Sequence, residues 1–247
     1  MVLATGCASV PRPINIQSTQ APPPYQAWAL VLEKHVDGEG RINFDGLAKD
    51  RSELDQFVAY VYDNGPNNRP EIFSTAQSVL AFHINAYNAL AMHKVLESGI
   101  PQSLAGFKKV TFFAFGKVQV GGEKISLYDY ENKIIRSLGD PRIHFALNCM
   151  SVSCPRLPKE VFLPENVDAM LDRESKRFFA EPRNVALIEL SKTVILSEIL
   201  KFYPSDFLAK AKSLVAYANL YRDVKVPEDY TVAFRHYDWT INRQPTK

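Results

Sequence analysis

Two cysteines and a histidine lie close together in residues 140–155, whose sequence is DPRIHFALNCMSVSCP. Cys149 and Cys154 are five positions apart, and His144 is five positions before Cys149. A thiolate is a nucleophile and an imidazole is a base near neutral pH, so these residue types in one short segment indicate thiol chemistry. The segment is therefore the first candidate for a functional site.

The cysteine pair has three interpretations. In an oxidising compartment, Cys149 and Cys154 form a disulfide that closes a short loop. Alternatively Cys149 is a nucleophile, which requires a lowered thiol pKa and a base within reach, and His144 is the nearest base in the sequence. In the third interpretation the cysteines are unreactive and pack as small hydrophobic side chains. The sequence leaves all three open.

The pattern of side chains predicts a strand over residues 143–149. Because side chains alternate in a strand, His144 is expected on the face opposite Cys149. The other face then carries Ile143, Phe145, Leu147 and Cys149. A bend after Asn148, or the use of Cys154, is required to bring a thiol to the imidazole.

Other polar residues in apolar surroundings are candidates for supporting roles. Asn85 and Asn88 are three positions apart in the apolar stretch 81–93, so they share one helix face. A buried amide without a partner costs about 1–3 kcal/mol, so each either braces a loop or faces a ligand, and bracing is the commoner role. Glu131, in a predicted helix, is a candidate to orient His144 as the third member of a triad, and a solvated carboxylate is the alternative.

Histidine spacing gives no metal-binding pattern. His83 and His93 lie ten positions apart on one predicted helix, whereas a metal needs three or four converging ligands. We predict neither a metal site nor another cofactor.

Helical periodicity dominates the first half of the chain, and strand patterns occur late. Helices are predicted over residues 25–36, 47–62, 70–98, 126–138, 164–180 and 205–221. A hairpin is predicted within 110–125, and strands within 185–196 and 231–237. This order predicts an α+β fold with a small, mostly antiparallel sheet rather than a regular βαβ alternation.

Composition predicts one domain over residues 25–247. The chain has 247 residues, 46% of them hydrophobic, and no composition break. Its net charge of +2, without a basic cluster, disfavours a nucleic-acid partner. No apolar run approaches the roughly 20 residues that span a bilayer.

The first residues indicate export. Residues 3–9, LATGCAS, are similar to the cleavage box of a bacterial lipoprotein, in which Cys7 would receive lipid. Only six residues precede Cys7, fewer than the basic and apolar regions of a signal need, so either the true start lies upstream or the similarity is accidental. The alternative is a disordered tail, which the prolines of this segment favour. Both interpretations make residues 1–24 a tether. We expect a location in the periplasm or cell envelope, with membrane contact only through a lipid on Cys7.

With these segments in view, the chain resembles the domain of unknown function 547 family. The matching stretches are FHINAYNAL at 82–90, SLYDYENKIIR at 126–136, DPRIHFALNCMSVSCPRL at 140–157, ILKFYPSDF at 199–207 and YDWTIN at 237–242. Members that resemble this chain are often bacterial lipoproteins or exported proteins, which supports the tether. The family has no established general activity, so the resemblance implies kinship rather than a reaction.

The family pattern carries over to a defined set of positions. These are Asn85, Tyr87, Asn88, Glu131, Arg136, Asp140, Pro141, Arg142, His144, Cys149, Cys154 and Pro155. The chain departs from the pattern at His83, where an aromatic residue is usual, and at Asn132, where histidine is usual. These departures count against His83 in a shared mechanism and against a second base at position 132.

We therefore predict an exported, thiol-dependent hydrolase or acyltransferase of papain-like or transglutaminase-like character. Cys149 is the nucleophile, His144 the base and Glu131 the orienting residue, with Cys154 as a second thiol. The residues expected to line the site and stabilise negative charge are Asn85, Asn88 and Arg142. The substrate is expected to be peptide-like or a small thiol-containing molecule. The alternative is a non-catalytic envelope lipoprotein in which a Cys149–Cys154 disulfide fixes a loop that binds a ligand or partner.

Overall fold

A computed structural model describes residues 22–245, so Cys7 and nearly all of the predicted tether lie outside the described part. The α-helices are α1 Tyr25–His35, α2 Phe44–Lys49, α3 Ser52–Asp63, α4 Ala76–Glu97, α5 Phe107–Val110, α6 Leu127–Asp129, α7 Val167–Ala180, α8 Ile199–Phe202, α9 Pro204–Leu208 and α10 Leu214–Tyr221. π-Helical turns continue α5 over Thr111–Phe115 and α6 over Tyr130–Ile135, and 3-10 turns cover Arg136–Leu138, Pro141–Phe145 and Glu189–Ser191. Within residues 22–245, none of the helices combines the length and apolar character needed to cross a bilayer.

The strands form two small sheets. β1 (Lys117–Val120) and β2 (Glu123–Ser126) make an antiparallel hairpin with Val118 opposite Ile125. β3 (Val185–Ile188), β4 (Thr193–Ser197) and β5 (Thr231–Arg235) form a second sheet in the order β3-β4-β5. β4 pairs antiparallel with β3 and parallel with β5. The predicted α+β class, with more helix than sheet, is confirmed.

Helix α4 is the buried centre of the first half. Thr75 and Ser78 form a reciprocal capping box, which fixes the start of α4 six residues later than the sequence predicted. Its residues from Ala81 to Val95 are all buried, as the apolar sequence on every side predicted. The helix therefore carries Asn85 and Asn88 through the interior.

Two predicted helices are interrupted. The helix predicted over residues 47–62 is split between α2 and α3, and the one predicted over 205–221 is split between α9 and α10. Ser213 accepts a hydrogen bond from the Ala216 amide and so caps α10 as a separate helix.

Residues 110–115, expected in the hairpin, are helical, and a buried lysine holds their end. Lys94 is 3% exposed, and its ammonium donates to the carbonyls of Phe112 and Gly116. Burial, with a smaller contribution from Lys117, lowers the Lys94 pKa to about 8. The Lys94 ammonium thus fixes the helical turn to α4, although its burial favours the neutral amine.

Because of Lys94, the free energy of unfolding is expected to change with pH in the alkaline range. Between pH 8 and the usual lysine pKa of about 10.4, the unfolded chain binds a proton that the folded protein does not, so the free energy of unfolding rises with pH by up to about 3 kcal/mol. Lys94→Met is expected to remove this rise, and urea unfolding at several pH values measures it. Lys124→Met, on the exposed hairpin, serves as the control. The same alkaline rise in Lys94→Met would show that another group causes it.

The two hydrophobic clusters meet at the 3-10 turn Pro141–Phe145. The first cluster surrounds α1, α3 and α4, and the second lies among α7, α10 and the sheet β3-β4-β5. Ile143 packs in the first cluster and Phe145 in the second. The turn therefore links both clusters through alternate residues.

The predicted strand over residues 143–149 is wrong. Asp140 accepts a hydrogen bond from the Arg142 amide at 2.9 Å, and Pro141 occupies the first turn position, where its fixed φ favours helical backbone. Ile143, Phe145 and Cys149 therefore do not form one apolar row. The argument that alternation separates His144 from Cys149 fails with the strand.

Candidate functional site

A cavity of about 370 Å³ lies where the two clusters meet. Its wall includes Leu147 from the first cluster and Ile199 and Tyr203 from the second. The side chains in the wall that are able to do chemistry are Lys109, Glu131, Arg136, His144, Cys149 and Cys154. The structure thus brings all four predicted catalytic residues to one cavity.

The two cysteines are in contact but are not bonded. Their sulfur atoms lie 2.7 Å apart, and both thiols are free. Cys154 is buried and Cys149 is partly exposed. The disulfide predicted as one interpretation is absent from this structure, and the thiols lie within reach of each other.

Donors converge on the Cys154 sulfur. The Cys149 amide donates to it at 3.0 Å, and the Tyr237 hydroxyl lies at 3.2 Å. The Ser151 hydroxyl, which donates to Tyr237 at 3.1 Å, lies 3.3 Å from the same sulfur. Burial raises the Cys154 pKa, but hydrogen bonds from Cys149, Ser151 and Tyr237 outweigh burial and lower the pKa to about 6. Burial and the neighbouring Cys154 raise the pKa of the Cys149 thiol. The hydrogen bonds to the Cys154 sulfur thus favour its thiolate, whereas burial disfavours a thiolate on Cys149.

The loop that carries both cysteines is fixed at its two ends. Asn148 receives the Met150 amide on its side-chain oxygen and donates to the Pro155 carbonyl, each at 2.7 Å. Met150 has a positive φ of 70°, a conformation that costs a non-glycine residue about 1–3 kcal/mol. The Val152 amide donates to the Thr240 carbonyl, which ties the loop to the C-terminal segment. The loop geometry is therefore imposed by the surrounding fold.

Asn88 braces the same loop from α4. Its side chain donates to the Ala146 carbonyl at 3.0 Å and accepts the Asn148 amide at 2.7 Å. The bracing role predicted as the commoner one is what the structure shows, and Asn88 does not line the cavity.

Asn88→Ala is expected to lower the free energy of unfolding by about 2–4 kcal/mol, because it leaves the Ala146 carbonyl and the Asn148 amide buried without partners. Urea unfolding measures this loss, and Asn67→Ala, at an exposed position, is the control. We also expect faster reaction of the thiols with an alkylating reagent. Equal stability of the two variants would contradict the bracing role.

Asn85 and Arg142 also lie away from the cavity, contrary to the prediction. Asn85 accepts the Trp28 indole N–H at 3.2 Å and donates to the Phe162 carbonyl at 2.6 Å, so its amide is used within the core. Arg142 forms ion pairs with Asp140, Asp168 and Asp172. Both side chains fix neighbouring segments, and neither is placed to contact a ligand in the cavity.

His144 is paired with a carboxylate that the sequence did not single out. Its Nε2 lies 2.8 Å from Asp206 Oδ2, and its ring stacks on Tyr203 with centroids 4.1 Å apart. Arg136 donates two hydrogen bonds to the same carboxylate, at 2.8 and 2.7 Å. Hydrogen bonds from Arg136 and then His144 hold the Asp206 pKa well below its usual range. Because Asp206 stays ionised and accepts, Nε2 carries the proton and Nδ1 is the basic nitrogen.

Glu131 faces the cavity but is not the partner of His144. It accepts a hydrogen bond from the Tyr87 hydroxyl at 2.9 Å. Burial and the nearby Glu131 carboxylate raise the Tyr203 pKa, and burial with Glu131 and Cys149 raises that of Tyr87. Both phenols therefore remain protonated donors between Glu131 and Cys149. The predicted orienting contact is made by Asp206, which lies in the stretch ILKFYPSDF.

Aromatic side chains close the remainder of the cavity. Phe113, Phe202, Tyr237 and Trp239 lie in its wall, and the Lys109 ammonium lies 3.9 Å from the Trp239 ring centroid. Within residues 22–245, no group of three or more His, Cys, Asp or Glu side chains is placed to hold a metal ion. The described site is thus a thiol pair and a histidine–carboxylate pair in an aromatic cavity.

The fold and site define an α+β domain with a paired-thiol cavity between two hydrophobic clusters. Residues 73–179 match the family model described as Protein of unknown function, DUF547, and this match supports the family that the sequence predicted. The stretch includes Glu131, His144 and both cysteines of the pair, whereas Asp206 lies beyond it. Neither the comparison with curated proteins nor the comparison with solved structures found a significant match.

Proposed function

We propose that this protein is a thiol-dependent hydrolase or acyltransferase that acts on peptide-like substrates, with Cys149 as the nucleophile. One observation carries the proposal: both thiols and His144, whose ring is hydrogen-bonded to Asp206, line the same cavity. A nucleophile, a base and a residue that orients the base are the minimal set for covalent acyl transfer.

Exposure favours Cys149 as the attacking sulfur, because Cys149 is the more exposed of the two. Burial and Cys154 raise the pKa of its thiol, contrary to the lowered pKa that a nucleophile was predicted to need, so a neighbour must take its proton, and the Cys154 sulfur lies 2.7 Å away. As Cys149 attacks a carbonyl carbon, a carbon–sulfur bond forms and this proton passes to Cys154. The leaving group then departs with a proton, and water or an acceptor amine or alcohol releases the acyl group.

His144 and Tyr237 supply the remaining chemistry in this proposal. His144, oriented by Asp206, passes to the leaving group the proton that Cys154 received from Cys149, then takes a proton from the acceptor and returns it to Cys149 as the acyl group leaves. The Tyr237 hydroxyl, 3.4 Å from the Cys149 sulfur, is a neutral donor for the oxygen that becomes negative. This role was predicted for Asn85, Asn88 and Arg142, whose side chains are used elsewhere.

The wall of the cavity supports a substrate with an apolar side chain. Phe113, Phe202 and Trp239 offer aromatic surface, while Lys109 and Glu131 place one charge of each sign in the same wall. A peptide-like substrate supplies both apolar and polar groups to such a wall. Export and lipid attachment at Cys7 belong to the same proposal, and they rest on residues 3–9 of the sequence.

Acylation with a small aryl thioester tests the function. We expect a burst of released aryl thiol and an acyl adduct that maps to Cys149, both lost in Cys149→Ser. His144→Gln is expected to slow acyl turnover by about 10²–10⁴-fold, as removal of a general base does. His236→Gln, at a side chain that is 94% exposed, is the control. An adduct that persists in Cys149→Ser would contradict the proposal.

A second candidate function is favoured by the short separation of the two sulfurs. In it the protein is a non-catalytic envelope lipoprotein, and a permanent Cys149–Cys154 disulfide holds the loop. Thiol titration of the folded, unreduced protein carrying Cys7→Ser separates the two candidates. Two titratable thiols support the enzyme, and none supports the permanent disulfide.

A further inference from the structure

We propose that Cys149 and Cys154 also form a reversible redox pair that exchanges with disulfide substrates in the cavity. This activity does not depend on acyl transfer, although it uses the same two sulfurs. Cys149 forms a mixed disulfide with the substrate, and Cys154 resolves it. The class of substrate is a small or peptide-borne disulfide.

The distance between the thiols is the first argument. The sulfurs lie 2.7 Å apart, and a disulfide bond of about 2.05 Å requires less than about 1 Å of further approach. The loop is already fixed by Asn148 and by the hydrogen bond from Val152 to Thr240. The two sulfurs therefore lie close to bonding distance on a loop that is already held in place.

The distribution of donors is the second argument. Thiol–disulfide exchange requires a thiolate, and it is fastest when the departing sulfur carries negative charge easily. Cys154 is surrounded by the Cys149 amide and the hydroxyls of Ser151 and Tyr237, so a thiolate there is stabilised. These donors favour the reduced form of the pair and make its disulfide an oxidant.

The difference in exposure divides the roles. Both cysteines lie in the cavity wall, but Cys149 is partly exposed, so a substrate sulfur can reach it, whereas Cys154 is buried. An exposed attacking thiol with a buried resolving thiol is the arrangement that two-step exchange requires. The aromatic wall and Lys109 provide surface for the rest of the substrate.

The chemical steps balance. Cys149, after passing its proton to Cys154, attacks one sulfur of RS–SR, so a Cys149–sulfur bond forms, the substrate sulfur–sulfur bond breaks, and RS⁻ leaves and is protonated. Cys154 then loses its proton to solvent and attacks the Cys149 sulfur, and the second RS⁻ leaves and is protonated. In total the pair loses two electrons and its one thiol proton, and RS–SR gains two electrons, that proton and a second proton from solvent to give two RSH molecules.

Equilibration with glutathione tests the proposal in the full chain carrying Cys7→Ser, where the pair supplies the only thiols. The protein is incubated with mixtures of reduced and oxidised glutathione, alkylated, and mapped by mass spectrometry. We expect the Cys149–Cys154 disulfide to rise and fall reversibly with the mixture. A pair that stays reduced in every mixture, or that closes and does not reopen in the folded protein, would overturn the proposal.

Variants of each cysteine separate the two steps. Cys154→Ser is expected to accumulate at least about tenfold more glutathione adduct on Cys149, because the resolving thiol is missing. Cys149→Ser is expected to form little adduct. Equal adduct in both variants would overturn the assigned roles.

Tyr237→Phe tests the pair without altering a sulfur. Loss of one donor destabilises the Cys154 thiolate, so the equilibrium with glutathione is expected to shift toward the protein disulfide by about fivefold or more. Tyr230→Phe, at a tyrosine outside the cavity wall, is the control. An unchanged equilibrium in Tyr237→Phe would remove the donor argument. Acylation is measured separately on the fully reduced protein, so failure of either activity leaves the other testable.

Discussion

Asp206→Asn is expected to slow acyl turnover by about 10²–10⁴-fold while leaving the protein folded. The asparagine keeps the shape of the side chain but loses the charge that stabilises an imidazolium at His144. It also replaces the carboxylate, which accepts hydrogen bonds from both His144 and Arg136, with an amide whose NH₂ group cannot accept a hydrogen bond. Steady-state turnover of the aryl thioester, measured from pH 5 to 9, is the readout.

The same variant is expected to change stability in acid. Hydrogen bonds from Arg136 and His144 lower the Asp206 pKa in the folded protein, so its contribution is fully present above the unfolded aspartate pKa of about 3.9 and is lost as pH falls below it. Asp206→Asn should lose this part of the acid dependence. Asp45→Asn, which breaks an exposed pair with Arg243, is the matched control and should cost less than about 1 kcal/mol. Normal turnover in a folded Asp206→Asn protein would show that the carboxylate does not serve His144.

Local signals in the sequence were sufficient for much of the fold. The apolar run around Asn85 predicted a buried helix, and α4 is buried through its whole middle. Turn signals separated β1 from β2, and late strand patterns predicted the second sheet. The segment with Cys149 and Cys154 was identified as the candidate site, and the cavity contains both. Each of these inferences depends on residues close together in the chain.

The remaining features depend on contacts between distant segments. Asp206 meets His144 across 62 positions, and Tyr237 meets Cys154 across 83. Periodicity and spacing carry no information about such pairs. The sequence therefore offers only a carboxylate on a predicted helix before His144, Glu131, as the orienting residue. The error in the strand prediction has a different cause. Apolar residues do alternate along the segment, but they pack in two clusters rather than on one face of a sheet. Substitution of one residue on the 3-10 turn can test whether the turn packs in two clusters.

Phe145→Ala is expected to lower the free energy of unfolding by about 3–5 kcal/mol, a large share of the stability of a typical domain. Phe145 is 0% exposed, and its ring packs on Phe178 and Phe179 with centroids 4.6 and 4.9 Å away. Urea unfolding measures the loss, with Phe107→Ala, at 76% exposure, as the control. A loss no larger than that of the control would contradict a buried role for the turn. Phe207 packs against both Phe145 and His144. The space left by Phe145→Ala therefore also loosens the packing around the imidazole. Acyl turnover should fall together with the free energy of unfolding.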